Sequence, residues 1–193
     1  MLGAAILLAA LPLSAREDPL PTFPVVVSVA SEAGKPVRDD AWIDAQLAEA
    51  ERLFGPRGIH LKKTAQKALE ERFARLETRK DRDALAGQLQ KGAINVVIVG
   101  SLRDVDDPRL YRMGVHWAPV GKKGVHYVIV ARDAWESTMA HEIGHFFGLP
   151  HSAKKNNLMS YDRDGGAAYV DDYQARTMVS FARNYLRAKE LVP

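Results

Sequence analysis

One eleven-residue segment constrains the fold of this chain more than any other, residues 141–151, which read HEIGHFFGLPH. His141 and His145 are four residues apart, so on a helix their imidazole rings project from one face and can bind a single metal ion. Gly148 can adopt the left-handed backbone conformation that ends a helix, which lets His151 turn back toward the same ion. The segment therefore predicts a helix, a sharp break and a three-histidine metal site.

The three ligands and the residue after the first of them indicate a catalytic site. Three neutral imidazoles leave the fourth position of a tetrahedral ion open for water, and zinc is the ion that such ligands favour. The carboxylate of Glu142 can reach a zinc-bound water and act as its general base. The short H-E-x-x-H pattern alone also fits a polar helix face, but Gly148 and His151 in register argue against that alternative. We expect one catalytic zinc ion.

A second motif follows the histidines and carries a family resemblance. Residues 157–161 read NLMSY, and together the two motifs resemble those of the metzincin clan of zinc metallopeptidases. The Met-x-Tyr turn is most similar to that of astacin-like and serralysin-like members. The resemblance implies that Met159 forms a hydrophobic floor below the metal without coordinating it. It also implies that Tyr161 ligates zinc or stabilises the transition state; the alternative is that its ring only packs beside the turn.

The pattern of apolar residues along the chain agrees with the α+β, zincin-like fold that this resemblance implies. Helical spacing and capping signals predict helices from about Asp40 to Phe54, over 135–147 and over 171–189, and two short helices between 69 and 91, the second capped by Thr78. Extended segments are expected at 25–30, 59–61, 94–99, 113–118 and 127–131.

These elements predict a twisted mixed sheet of about five strands, a long active-site helix and a small C-terminal subdomain ending in a helix. By the resemblance, Met113–Ala118 is an antiparallel edge strand that offers its backbone to an extended peptide. We expect residues 16–193 to form a single catalytic domain, with an N-terminal subdomain at about 22–148 and a C-terminal one at about 149–193.

The N-terminus predicts export. Residues 1–15, MLGAAILLAALPLSA, form an apolar run that ends in small residues, as in a signal peptide cleaved after Ala15, although no basic residue precedes the run. The run is shorter than the roughly 20 apolar residues that span a bilayer, so we expect no stable membrane span. The protein is then secreted, periplasmic or extracellular. The alternative is a buried N-terminal helix, in which Pro12 would fit poorly.

The composition of the chain limits the kinds of partner and metal ligand that are expected. The 27 Lys and Arg residues exceed the 24 Asp and Glu residues by three, too small a surplus for a nucleic-acid surface. The chain contains no cysteine, so any metal must be held by nitrogen and oxygen ligands. We expect a monomer that acts on a peptide or protein substrate.

Three functions use these residues. The first is a zinc endopeptidase that hydrolyses peptide bonds through a zinc-bound water activated by Glu142. The alternatives are a non-catalytic, zinc-stabilised binding module and a zinc amidase acting on a modified peptide. His60, His116 and His126 are interpreted as hydrogen-bonded or surface histidines, and 162–165 as a plain turn and not a calcium loop.

Overall fold

A mixed β-sheet with helices packed on it forms the framework of the protein. The computed structural model describes residues 18–193, and the predicted signal peptide lies outside them. The strands are β1 (Phe23–Glu32), β2 (Lys35–Pro36), β3 (Leu61–Leu69), β4 (Arg75–Leu76), β5 (Ile94–Val99), β6 (Ser101–Leu102), β7 (Gly114–Trp117) and β8 (Tyr127–Ala131). The helices are α1 (Asp40–Phe54), α2 (Arg79–Ala84), α3 (Thr138–Phe146) and α4 (Asp172–Ala188).

The main sheet contains five principal strands in the spatial order β3, β1, β5, β8, β7, and the short β2 pairs antiparallel with the end of β1. The first four are mutually parallel, whereas β7 runs antiparallel to β8 and forms an edge. β5 and β8 are buried along their whole lengths, which explains why they read as continuous apolar runs. The predicted fold class, with its antiparallel edge strand, is confirmed.

Both faces of the sheet are covered by apolar packing. On one face the strands pack against α1, α3 and α4 in the larger core cluster. On the other face a smaller cluster surrounds Leu76, Leu85 and Tyr127, whose hydroxyl donates to the carbonyl of Arg82 at 2.5 Å. α3, which carries His141 and His145, therefore packs both on the sheet and against α1.

A buried glutamine of α1 fixes the start of α3. The side-chain nitrogen of Gln46 donates to the carbonyl of Trp135 at 2.8 Å, and its oxygen accepts from the backbone N–H of Met139 at 3.1 Å. Ser137, the residue before the helix, makes no side-chain capping bond. Gln46 thus satisfies an N–H in the first turn that local sequence leaves unpaired.

Two of the expected helices differ from those in the structure. The predicted helix at 135–147 begins at Thr138, because residues 135–137 form the turn that Gln46 holds. The first of the two short helices expected between 69 and 91 is wrong, because β3 continues to Leu69 and is followed by a 3-10 turn at Glu71–Phe73 and the strand β4. The second predicted start is correct, since Thr78 and Asp81 form a reciprocal capping box before α2. Within residues 18–193, no helix is both long and apolar enough to cross a membrane.

Candidate metal centre and cleft

The three predicted histidine ligands meet in space. His141 and His145 lie one helical turn apart on α3, with ring centroids 4.8 Å apart, and His151 reaches them from the segment after the helix. The nearest nitrogens of the three rings all lie within 4.8 Å of one another. In the described part of the chain, this is the only group of three such side chains that could hold one metal ion.

Two backbone carbonyls set which ring nitrogens face the ion. Nδ1 of His141 lies 2.8 Å from the carbonyl oxygen of Leu158, and Nδ1 of His145 lies 2.7 Å from that of Leu149. Because a carbonyl oxygen can only accept, each Nδ1 carries the proton and donates, which leaves both Nε2 atoms with free lone pairs. Hydrogen bonds of this kind, from the nitrogen that does not bind the metal, orient metal-ligating histidines.

The donor set fits a zinc ion. Nε2 of His145 and Nε2 of His151 are 3.1 Å apart, close to the roughly 3.3 Å that two nitrogens take around a tetrahedral zinc at about 2.0–2.1 Å. Burial lowers the pKa of His141 to about 4 and also lowers the pKa of His145. Both rings are therefore neutral near pH 7, as metal binding requires.

The break after α3 depends on a glycine for two reasons. Gly148 has φ of +80°, in the left-handed region that side chains rarely adopt. A Cβ atom at this position would also clash with the ring of Phe181 on α4. Gly148 thus lets the chain reverse and lets α4 pack against the turn that delivers His151.

The methionine turn packs below the histidines. Met159 is fully buried, and its backbone carbonyl accepts from the N–H of Ser152 at 2.9 Å. The side chain of Asn157 exchanges two hydrogen bonds of 2.8 Å with that of Gln174 on α4, and it accepts from the N–H of Met159 at 3.0 Å. This buried amide pair, which sequence analysis missed, ties the turn to the C-terminal helix.

Glu142 combines burial with proximity to the cleft. Its side chain lies beside Gly114 of the edge strand, where a Cβ atom would come within 2.8 Å of Glu142 Cγ. Burial raises the pKa of Glu142 to about 7, against the opposing effects of a hydrogen bond from the backbone N–H of His116 and the charge of Arg112. A carboxyl group with this pKa can both accept and release a proton near neutral pH.

Tyr161 lies at the mouth of the same site. Its hydroxyl is 2.9 Å from Nε2 of His151, and its ring lies 4.8 Å from that of His151 by centroid distance. The residue as a whole is 73% exposed, so its ring does not serve the core. This position is compatible with contact to a metal ion or to a bound substrate.

Two cavities flank Glu142 and share part of their lining. One has a volume of about 360 Å³ and extends toward Trp135 and Arg163; the other, of about 590 Å³, extends along Val115 to Trp117 and past His151. Arg112, Gly114, Glu142 and Tyr161 line both. The cleft therefore continues on both sides of Glu142, beside the edge strand β7.

The histidines outside the triad have other contacts. Nδ1 of His60 lies 2.6 Å from a carboxylate oxygen of Glu51, on the surface. His116 and His126 form a half-buried pair, with Nε2 of the first 2.8 Å from Nδ1 of the second. In the 162–165 segment, Asp164 accepts from the N–H of Gly166 at 3.1 Å, which is a turn contact.

Comparison with known proteins agrees with this architecture. Residues 113–185 match the reprolysin-like model of metallopeptidase family M12B, a span that includes the edge strand, the histidines and most of α4. The resemblance to the metzincins is confirmed. No curated protein matches the chain.

Several solved structures are similar to the chain in fold. Mature mirolysin from Tannerella forsythia, solved with a cleaved peptide, has a TM-score of 0.65 and 14% identity, over 91% of this chain and 100% of mirolysin. Archaemetzincin from Methanopyrus kandleri has a TM-score of 0.55 and 14% identity, over 84% and 96% of the two chains. Metalloproteinase-II from Bacteroides fragilis has a TM-score of 0.56 and 14% identity over 84% of this chain. The present chain spans only 53% of the length of metalloproteinase-II. The metzincin-type fold, the family match and the histidine triad together support a zinc peptidase.

Proposed function

We propose that this protein is an exported, zinc-dependent endopeptidase that hydrolyses peptide bonds, with His141, His145 and His151 as the metal ligands. The observation that carries the proposal is the convergence of three imidazoles next to a buried carboxylate in a cleft that is open on both sides. Export rests on the apolar segment at 1–15.

The edge strand supports binding of an extended peptide. Within residues 18–193, β7 pairs with β8 alone, and Gly114 of β7 lines both cavities. A substrate strand can therefore add to the other side of β7 by backbone hydrogen bonds. Because the cleft extends in both directions from Glu142, residues before and after the scissile bond can both be accommodated. This geometry suits cleavage within a chain.

The chemistry is divided between a metal ion and two side chains. Zinc bound at the triad supplies a Lewis acid that makes a water nucleophilic and polarises a carbonyl. A carboxylate oxygen of Glu142 accepts the proton of the attacking water and then delivers it to the nitrogen of the leaving amine. The hydroxyl of Tyr161, 2.9 Å from Nε2 of His151, is placed to donate a hydrogen bond to the developing oxyanion.

The proposal is tested by metal analysis of the purified protein and mass-spectrometric mapping of cleavage sites in a mixed peptide library. We expect one zinc per chain and internal cleavage sites. Glu142→Gln should keep the zinc and lower kcat by at least about 10³-fold, in the range expected when both proton-transfer steps lose their catalyst. The exposed Glu70→Gln is the matched control and should cleave like the unaltered protein.

Two results would overturn the proposal. Undiminished cleavage by Glu142→Gln would exclude the mechanism. A zinc-loaded protein that cleaves no peptide would favour the binding-module or amidase alternative, and the two are separated by assay on modified-peptide amides.

A further inference from the structure

The smaller of the two cavities beside Glu142 has two arginines in its lining. They are Arg112 and Arg163, and among the described residues of the wall the only carboxylate is that of Glu142 itself. Serine and threonine hydroxyls line it as well, at Ser137 and Thr138. The rest of the wall is largely aromatic and apolar, so the few charged and polar groups decide which polar group of a ligand can bind there.

The charge of one arginine is already neutralised within the protein. The Nε and Nη2 atoms of Arg112 lie 2.6 and 2.5 Å from Oδ2 of Asp104, whose side chain is only 4% exposed. This ion pair fixes the Arg112 side chain at the wall and leaves little of its charge for a ligand. The electrostatic character of the cavity therefore depends on Arg163.

Arg163 has no such partner. In the span 18–193, no carboxylate lies within 4.0 Å of its guanidinium nitrogens. Its hydrogen bonds go to backbone carbonyls, from Nη2 to Leu158 at 3.0 Å and from Nη1 to Asn156 at 3.3 Å. A guanidinium group has five N–H donors, so three are left for a ligand.

The two carbonyl contacts hold Arg163 close to the metal site. The oxygen of Leu158 accepts from both Nη2 of Arg163 and Nδ1 of His141, so one backbone atom positions the ligand ring and the guanidinium. A half-buried arginine fixed in this way loses little conformational freedom when it binds an anion. A planar carboxylate is the group that its fork matches best.

Building on the peptidase function proposed above, we propose that Arg163 binds a substrate carboxylate next to the scissile bond. Two carboxylates have this chemistry, the side chain of an Asp or Glu residue and the free α-carboxylate of a peptide C-terminus. In the first case the enzyme selects acidic positions within chains, as an endopeptidase does. In the second it removes residues from chain ends, and the proposal of internal cleavage is then wrong while the role of Arg163 stands.

The experiment compares matched peptides built on the best-cleaved library sequence. At each position flanking the scissile bond the peptide carries Glu, Gln or Lys, and each is made as a free acid and as a C-terminal amide. The unaltered protein should cleave the preferred carboxylate peptide with a kcat/KM about 10- to 100-fold above its uncharged counterpart, as a charge-assisted pair is worth about 1.5–3 kcal/mol. Dependence on the Glu side chain or on the free terminus identifies the source.

The variants test whether Arg163 is responsible. The measured quantity is the Glu/Gln ratio, which is kcat/KM for the Glu peptide divided by kcat/KM for the Gln peptide. Arg163→Gln should bring this ratio close to one, and Arg163→Lys should keep part of the preference for Glu. Arg163→Glu should make the Lys peptide the preferred substrate. Arg187→Gln, which removes an exposed arginine at the end of α4, is the matched control and should keep the ratio. Because the ratio is internal to each variant, losses of folding or zinc do not change it.

A binding assay separates this inference from the peptidase proposal. Fluorescence anisotropy with labelled Glu and Gln peptides and the Glu142→Gln protein should show tighter binding of the Glu peptide, lost when Arg163→Gln is added. Failure of cleavage with carboxylate-dependent binding would contradict only the peptidase function. No carboxylate preference in the unaltered protein, or a preference that persists in Arg163→Gln, would overturn the role of Arg163.

Discussion

The sulfur of Met159 occupies the space where a side chain on Gly144 would begin. A Cβ atom at position 144 would lie 2.7 Å from Sδ of Met159 and 3.4 Å from Cδ1 of Leu149. Position 144 is a variable place in the H-E-x-x-H pattern, but here it has to be small because the methionine turn packs directly on α3. The floor below the metal and the helix that carries two of its ligands thus share one tight contact.

Gly144→Ala is therefore expected to weaken metal binding more than it weakens the fold. The alanine should gain up to about 1 kcal/mol in helix propensity, while displacement of Met159 should cost about 1–3 kcal/mol. Because Leu158 orients His141, a shift of the turn should also raise the Kd for zinc about 10- to 100-fold. Zinc titration and urea unfolding measure the two effects.

Gly87→Ala is the matched control for that substitution, since a Cβ atom at position 87 meets nothing within 4 Å. It should bind zinc like the unaltered protein. Unchanged zinc affinity in Gly144→Ala would show that Met159 moves without disturbing the ligands.

The Asn157–Gln174 pair should contribute strongly to stability. Asn157→Ala removes both 2.8 Å bonds and leaves the buried amide of Gln174 without them, which should lower the free energy of unfolding by about 1–3 kcal/mol. The exposed Asn184→Ala should change it by less than about 0.5 kcal/mol. Equal losses in the two variants, measured by chemical denaturation, would exclude a structural role for the pair.

The His116–His126 pair predicts acid sensitivity of the fold. Burial lowers the pKa of His126 to about 4, and burial together with the nearby His126 and His145 lowers that of His116 to about 3. Between these values and the unfolded pKa of about 6.5, the unfolded chain binds more protons. Stability should therefore be unaffected by these groups above pH 6.5 and should fall as the pH decreases from 6.5 to 4.

His126→Asn tests this prediction because it removes one titrating group and keeps a polar atom toward His116. Between pH 6.5 and 4 the slope of unfolding free energy against pH should be shallower than in the unaltered protein, by up to about 1.4 kcal/mol per pH unit. Denaturant titrations at several pH values provide the slopes. Identical slopes would show that protonation of His126 does not lower the free energy of unfolding.

Metal removal should destabilise the protein through the triad. A ligand that binds only the folded state stabilises it by about 4 kcal/mol at a thousandfold excess over its Kd, so a chelator should lower the Tm and zinc should restore it. His151→Ala should lose most of this response. His60→Ala, on the surface beside Glu51, should keep it. A zinc-dependent Tm in His151→Ala equal to that of the unaltered protein would exclude His151 as a ligand.

The sequence predicted some parts of the fold better than others. The continuous runs of β5 and β8 and the capping box at Thr78 were readable because burial on both faces and capping leave local signatures. The start of α3 could not be predicted in this way. A backbone N–H of its first turn, that of Met139, donates to the side chain of Gln46, which is 93 residues away in the sequence. The subdomain boundary near 148 and the signal peptide stay predictions.

By itself, the sequence determined the spacing of the metal site. His141, His145, Gly148 and His151 lie within eleven residues, so helix periodicity and one left-handed glycine are enough to bring the histidines to a common point. The proximity of Glu142 to that point follows from the same local geometry.

Only the tertiary structure decided what surrounds the site. Four features of the site depend on contacts between segments that are distant in the sequence. They are the carbonyl of Leu158 that orients His141, the methionine that requires Gly144, the phenylalanine that requires Gly148 and the arginine in the cleft. Such contacts are set by how α3, α4 and the methionine turn pack together, and no pattern of local residue spacing encodes them. The ligands are thus a property of the sequence, and their orientation and the charge of the cleft are properties of the fold.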